Sequence, residues 1–262
     1  QYAAGLNPQQ LAAVQAVHGP VLLLAVPGSG KTTVLVTRLG YMVLCCDVPP
    51  AQILTMTYTV AATHEMRGRF AARFGADLAG QMTFRTINGL SAVILQYYSR
   101  VYGRRQPELL TNEGDITRML TDIWQQVNRE FPTESTLKEL RTAITYIKNM
   151  ALADEEIEGL ETDLANLPEL YRRYQAALKR AGQMDYDDQM VFALQILRAA
   201  PPVLAYFQQR YKYFCVDESQ DTSKIQHEII RLLAGRSLNL FMVGDEDQSI
   251  YGFRAACPDM LL

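Results

Sequence analysis

The 262-residue sequence is poor in the features that would remove it from the cytoplasm or staple it together. Its four cysteines, Cys45, Cys46, Cys215 and Cys257, have no zinc-ligand spacing, and two of them are adjacent in a stretch that reads as helix. That excludes a cysteine metal site and a disulfide framework and fits a reducing compartment. The longest apolar runs, such as residues 21–26, are far too short to span a bilayer, and no basic segment followed by an apolar one opens the chain. A cytoplasmic protein without a membrane partner is therefore expected. Basic excess is also missing: 25 Lys and Arg against 28 Asp and Glu leave a net charge of −3. Nucleic-acid binders usually carry a basic stripe, so any such contact here has to be local. There is no internal repeat and no low-complexity segment.

What is present is enough apolar content, 48%, for one large α/β core and a smaller second unit. Residues 21–26, 53–58 and 81–84 read as short buried strands separated by helical patterns, the alternation of a parallel sheet. From about residue 96 to 182 strands vanish. Apolar residues then recur at helical spacing, as in Ile116, Leu120, Ile123 and Val127, and again in Leu137, Leu140, Ile144 and Ile147. Thr136 and Glu139 suit a capping box ahead of the second series. Strands return at residues 213–217 and 239–245, around a helix at 224–234. The expected organisation is a discontinuous sheet domain, residues 1–95 and 183–262, interrupted by an all-helical insertion at 96–182. The sequence stops shortly after a polar, strand-end loop, as a piece of something longer would.

Residues 25–33, AVPGSGKTT, follow a strand and open a helix, the setting that a phosphate-binding loop requires. Small residues let backbone N–H groups wrap a β-phosphate, a lysine reaches the β- and γ-oxygens, and a hydroxyl serves Mg²⁺. Gly28, Gly30, Lys31 and Thr32 supply these, with Ser29 and Thr33 completing the loop. Ala25 stands where the usual pattern begins with glycine. ATP and Mg²⁺ are the expected ligands.

Asp217 and Glu218 close a buried strand, where open α/β sheets place their ligand chemistry. The aspartate suits a bound Mg²⁺ and the glutamate suits the base that deprotonates an attacking water. Adjacent acids also cap helices, and it is the distant phosphate loop that favours the catalytic role. A second strand end, residues 243–254 (VGDEDQSIYGFR), is dense in polar groups, as strand ends serving a site are. Gln248 could reach the γ-phosphate or its water, and Tyr251 and Phe253 offer either a stacking face or core packing.

Taken in order, seven segments resemble the motifs of UvrD/Rep/PcrA-type superfamily 1 DNA helicases. They are LNPQQ at 6–10, the phosphate loop, LTMTYTVAATHEM at 54–66, TFRT at 83–86, DYDDQM at 185–190, VDESQD at 216–221 and VGDEDQSIYGFRAA at 243–256. The resemblance implies a RecA-like P-loop NTPase sheet flanked by helices, with the insertion as a helical subdomain. It implies Gln10 for adenine, Arg38 near the nucleotide, Lys31 and Thr32 for phosphate and Mg²⁺, Asp217 for Mg²⁺ and Glu218 as base. Gln248 and Arg254 would couple the γ-phosphate to DNA, while Tyr58, Thr59, Arg85, Tyr251 and Phe253 would face the DNA strand. Phe253 replaces the family's usual tryptophan, Val60 and Ala61 replace its Asn-Lys, and Arg85 replaces a histidine.

The implied activity is ATP-driven 3′–5′ movement on single-stranded DNA and duplex junctions, in repair, replication or recombination. The family's second RecA-like domain, with its arginine fingers, has no counterpart in these residues, so it is expected as a partner from the same full-length protein. Without it, unwinding is not expected. Two alternatives stand beside this: a P-loop nucleotidase with no nucleic-acid partner, and a non-catalytic helicase-like module. Intact Lys31, Asp217 and Glu218 argue against the second. The cluster Tyr97, Tyr98, Arg100, Tyr102, Arg104 and Arg105 fits either a DNA path or a solvated helix end.

Overall fold

A computed structural model describes residues 5–26 and 28–245. In chain order the first elements are α1 (Pro8–Gln15), β1 (Val21–Leu24), α2 (Lys31–Cys45), β2 (Ile53–Thr57), α3 (Val60–Phe74), α4 (Ala76–Gln81), β3 (Thr83–Thr86) and α5 (Ile87–Tyr102). There follow β4 (Glu108–Leu109), α6 (Glu113–Asn128), α7 (Glu134–Asn149), α8 (Asp154–Glu158), α9 (Leu167–Ala181) and β5 (Gln183–Met184). The chain continues as α10 (Tyr186–Ala199), α11 (Pro201–Arg210), β6 (Tyr213–Val216), α12 (Lys224–Ala234) and β7 (Leu240–Gly244). The described residues divide into two compact units, one running to residue 90 and resuming at 196, the other 91–195; the junctions fall inside α5 and α10.

The first unit holds a five-stranded, all-parallel sheet in the order β1-β7-β6-β2-β3. Parallel strands need helical crossovers that cover both faces, so every position of β2 is buried. The order sets β1, β7 and β6 side by side, although β1 lies some 190 residues from β6 in sequence. Leu24 pairs with Gly244, and Val216 pairs with both Met242 and Met56. All the strands therefore end on one edge. Leu35, Leu39 and Met42 of α2 and Phe70 of α3 join Ile53, Phe84, Cys215, Phe241 and Val243 in one core. At roughly 1.5–3 kcal/mol per buried large apolar side chain, this core holds the sheet edge rigid.

The third strand is Thr83–Thr86, two residues later than the expected 81–84, because Gln81 still belongs to α4. An alternating polar pattern at a helix–strand junction leaves that boundary undetermined.

The second unit is helical apart from a two-residue parallel ladder, in which Glu108 pairs with Gln183 and Leu109 with Met184. Strands this short leave no periodicity to read in a sequence. The core is built on α6, α7 and α9, with Leu120, Trp124, Leu140, Ile144, Leu170, Tyr174 and Leu178 in contact. The cap of α7 is Thr133, whose side chain accepts the Thr136 N–H at 3.1 Å, so the helix begins three residues before the expected Thr136 cap. The DYDDQM segment braces this unit: buried Lys148 lies 2.6 Å from Asp185 and 2.9 Å from Asp188, and the Tyr174 hydroxyl donates to Asp185 at 3.0 Å. Among the described residues no single helix is long and apolar enough to cross a membrane.

Candidate nucleotide-binding site

The turn from β1 into α2 carries the phosphate-loop residues. Gly28 and Gly30 have φ of 79° and 82°, left-handed values that side chains resist, so glycine is required for this backbone path. Gly30 is the N-cap of α2 and supplies no side-chain cap, which leaves the helix's first N–H groups and the positive end of its dipole for an anion. The Ser29 hydroxyl is buried and makes no hydrogen bond. An unpartnered hydroxyl beside an uncapped helix start is what a polyphosphate site needs. Thr32 is half-buried and Thr33 exposed on the first turn.

Lys31 meets two carboxylates there. Its ammonium forms an ion pair with Asp245 at the end of β7, and it lies 3.4 Å from Glu218 after β6. Burial pulls its pKa down, but the hydrogen bond to Asp245 and the charges of Glu218 and Asp245 outweigh that and leave it raised. The lysine is thus charged and held by anions that a phosphate could replace. Asp217 is buried, and its backbone N–H donates to Met56 O at 3.1 Å, extending the β2–β6 ladder to the strand end. Burial first, and then the charge of Glu218, push its pKa up to about 6. A buried carboxylate with so little compensation suits a bound cation.

Glu218 adopts a left-handed backbone, φ 48° and ψ 47°. That conformation is uncommon for a residue with a side chain and persists only where neighbours hold it. The neighbours are visible: Asp221 N–H donates to Glu218 O at 2.9 Å, and the Gln220 amide donates to Glu218 Oε2 at 2.6 Å. Gln220 also accepts the Asp245 N–H at 3.0 Å, so one side chain joins the turn after β6 to the end of β7. A Cβ on Gly244 would lie 2.5 Å from Ser219 Oγ and 2.6 Å from Gln220 Oε1. Only glycine allows that approach.

Gln10 sits on α1, in a reciprocal capping box with Asn7: Gln10 N–H donates to Asn7 Oδ1 at 2.8 Å, and Asn7 N–H donates to Gln10 Oε1 at 3.0 Å. Its side-chain amide also donates to Ser29 O at 3.0 Å, tying α1 to the phosphate loop. Arg38 is different. Expected near a nucleotide, it is instead buried beneath α1, donating to the carbonyls of Ala13 at 2.8 Å, Ala16 at 2.6 Å and Val17 at 3.3 Å. Its guanidinium lies 4.3 Å from the Phe241 ring centre. The carbonyls that end a helix lack intrahelical partners, and this arginine supplies them.

On the same sheet edge, Thr59 caps α3 by accepting the Ala62 N–H at 3.0 Å, and half-buried Tyr58 bonds through its hydroxyl to Thr222. Val60 and Ala61 open α3 and are exposed. On β3, half-buried Arg85 keeps an Nε without a hydrogen-bond partner, as does Asn88 Oδ1 one turn later. In the second unit Arg100 lies 5.6 Å over the Tyr97 ring, and Tyr98 packs on Tyr102. Gln248, Tyr251, Phe253 and Arg254 lie outside the described residues.

Asp245, Gln220 and Thr222 were not among the residues expected at the site. Asp245 carries a signal, an acid directly after the apolar strand in VGD. The other two are polar residues inside a motif whose acids dominate it.

A parallel sheet with a glycine-rich turn into a helix, a lysine at that helix's start and carboxylates on the adjacent strand ends defines a P-loop nucleotide-binding protein. Comparison with known proteins narrows the class. The family model described as UvrD/REP helicase N-terminal domain matches residues 6–262, and the chain belongs to that family. It is 36% identical over 264 residues to the ATP-dependent DNA helicase PcrA of Leuconostoc citreum, covering 98% of this chain and 35% of that protein. To PcrA of Staphylococcus aureus it is 33% identical, covering 96% and 34%. To the putative ATP-dependent DNA helicase YjcD of Bacillus subtilis it is 32% identical, covering 98% and 34%. The chain thus spans about a third of the length of these curated relatives.

Proposed function

We propose that this chain is the ATP-binding portion of an ATP-dependent DNA helicase, which couples hydrolysis to 3′–5′ movement along single-stranded DNA. The observation that carries the reading is the convergence of Lys31, Asp245, Glu218 and Asp217 on three adjacent strand ends beside the uncapped start of α2. The relatives named above as ATP-dependent DNA helicases supply the nucleotide and the nucleic acid.

Lys31 exchanges its carboxylate partners for the β- and γ-phosphates, and the N–H groups that begin α2 take the remaining oxygens. The Thr32 hydroxyl and the Asp217 carboxylate would hold Mg²⁺, and the buried, compensation-poor Asp217 fits that role. The cation, when bound, neutralises charge that develops on the phosphate oxygens. Released from Lys31, Glu218 orients a water and accepts its proton, with Gln220 fixing one carboxylate oxygen. Gln10 anchors α1 to the loop through its bond to Ser29 O and is assigned to the adenine edge. Gln248 and Arg254 are assigned to the γ-phosphate side. Tyr58, Thr59 and Arg85 are assigned to the DNA strand, as are Tyr251 and Phe253 from their motif; stacking tolerates any base sequence, as a translocating motor requires.

The second wall of the cleft belongs to a further RecA-like domain of the full-length protein, so the chain alone binds Mg-ATP weakly and turns it over slowly. The test is steady-state ATPase of the full-length protein titrated with oligo(dT). Stimulation of tenfold or more by the single strand, lost without Mg²⁺, is the expected result. Vigorous hydrolysis indifferent to DNA would make it a P-loop nucleotidase instead.

A further inference from the structure

Tyr58 carries a hydroxyl that base stacking does not use. The residue follows β2, whose neighbour β6 ends at the carboxylates; Met56 pairs with Val216, and the Asp217 N–H bonds to Met56 O. The loop holding Tyr58 is fixed on both sides. Thr57 Oγ1 bonds to Thr63 Oγ1 at 2.6 Å, and Thr59 caps α3. Movement of the Tyr58 ring is therefore not absorbed by slack in its own loop. Its hydroxyl bonds to Thr222 Oγ1, a residue 1% exposed.

Thr222 closes the turn that begins at Glu218. Its N–H donates to Ser219 O at 3.1 Å, and the next residue, Ser223, is the N-cap of α12 in a capping box with Gln226. The turn between Asp217 and α12 is held from one side by Gln220, which reaches β7, and from the other by Tyr58. Glu218 sits in that turn with its left-handed backbone, a conformation that lasts only while the flanking bonds hold it. The burial of the Tyr58 hydroxyl and the charges of Asp221, Asp217 and Glu218 raise its pKa well above the ordinary phenol value, so it stays neutral among carboxylates.

We propose that Tyr58 is a positioning residue: its ring meets the DNA strand while its hydroxyl, through Thr222, fixes the turn that presents Glu218, so that strand binding sets the catalytic base. This rests on the proposed function and adds to it the route by which DNA stimulates hydrolysis. A phenylalanine at 58 would keep the stacking face and lose the route.

The experiment compares Tyr58→Phe, Thr222→Val and the double variant in the full-length protein. Three quantities are measured: oligo(dT) affinity by fluorescence anisotropy, the KM for Mg-ATP, and the ratio of ATPase rates with and without saturating oligo(dT). The folded fraction cancels in that ratio, so a loss of stability alone does not move it. Losing one neutral hydrogen bond in the active arrangement should cut the ratio about five- to tenfold in each single variant. Oligo(dT) affinity and KM should stay within about twofold, and the double variant should be no worse than either single, since both remove the same bond. A wild-type ratio in Tyr58→Phe, or losses that multiply in the double variant, would overturn the proposal while leaving the helicase reading intact. A wild-type protein that DNA does not stimulate would overturn both.

Discussion

Replacing Arg38 with methionine separates a structural arginine from a nucleotide-binding one. The guanidinium donates to Ala13 O at 2.8 Å and Ala16 O at 2.6 Å, more weakly to Val17 O at 3.3 Å, and lies 4.3 Å from the Phe241 ring centre. Methionine keeps much of the stem's volume but strands these carbonyls at the buried end of α1. Each of the two short charge-assisted bonds contributes roughly 1.5–3 kcal/mol, and part is returned because an arginine no longer has to be desolvated. The net loss should be about 3–5 kcal/mol, a large share of the ~5–15 kcal/mol that a domain possesses. With a urea m-value of about 2–3 kcal/mol/M, the unfolding midpoint should fall by roughly 1–2 M. Circular dichroism in urea reads this directly. Titration with a non-hydrolysable ATP analogue in dilute buffer, where the variant is still folded, should show affinity reduced only modestly, through looser seating of α1 and its Gln10. If Arg38→Met unfolds within about 1 kcal/mol of wild type yet binds the analogue more than tenfold more weakly, the arginine contacts nucleotide and its structural assignment is wrong.

Glu218→Gln in the full-length protein should retain Mg-ATP binding while lowering hydrolysis at least a hundredfold, because an amide keeps the shape but accepts no proton; single-turnover hydrolysis at the wild-type rate would remove Glu218 as the base. Lys31→Ala should instead weaken Mg-ATP binding itself, by about tenfold or more in calorimetry, since it removes the cation that Asp245 and Glu218 now hold. Buried His227 has its pKa lowered by burial, against a smaller opposing effect from Glu228, to about 4. The unfolded chain takes up this proton first, at its ordinary value near 6.5, so stability is complete above that pH and is lost as pH falls from about 6.5 towards 4, by up to roughly 3 kcal/mol. Urea midpoints at pH 7.5 and 4.5 should therefore differ much less in His227→Leu than in wild type; an equal difference would show that other groups carry the acid sensitivity.

The parts of the site that sequence made legible are those whose chemistry and local context coincide. AVPGSGKTT lies between an apolar run and a helix, and VDESQD ends an apolar run, so strand, turn and ligand type are all written within ten residues. The sheet order then brings them together, since β1 and β6 flank β7. Arg38 was not legible for the opposite reason. Its partners are 21 to 25 residues away, and they are backbone carbonyls, which every sequence possesses. An arginine in a helix just after a phosphate loop reads as a ligand for phosphate until the burial of α2 is known. The β4–β5 ladder and the start of α7 were missed because two-residue strands have no period and because Thr133 and Thr136 are both competent caps.

The bonds around Glu218 show why a motif's acids are insufficient to define its geometry. A carboxylate in a left-handed turn relaxes to another conformation unless the turn is closed, and the closing groups are Asp221 N–H, the Gln220 side chain and Thr222. Gln220 reaches Asp245 N–H only because β7 ends in Gly244, where any side chain would collide with Ser219 and Gln220. The position of the base thus depends on a glycine about 26 residues away that performs no chemistry. Lys31, held between Asp245 and Glu218, lies between the two strand ends that this glycine allows to approach. The same Gln220 side chain bonds to Glu218 and accepts the Asp245 N–H, so the two carboxylates that hold Lys31 share one spacer.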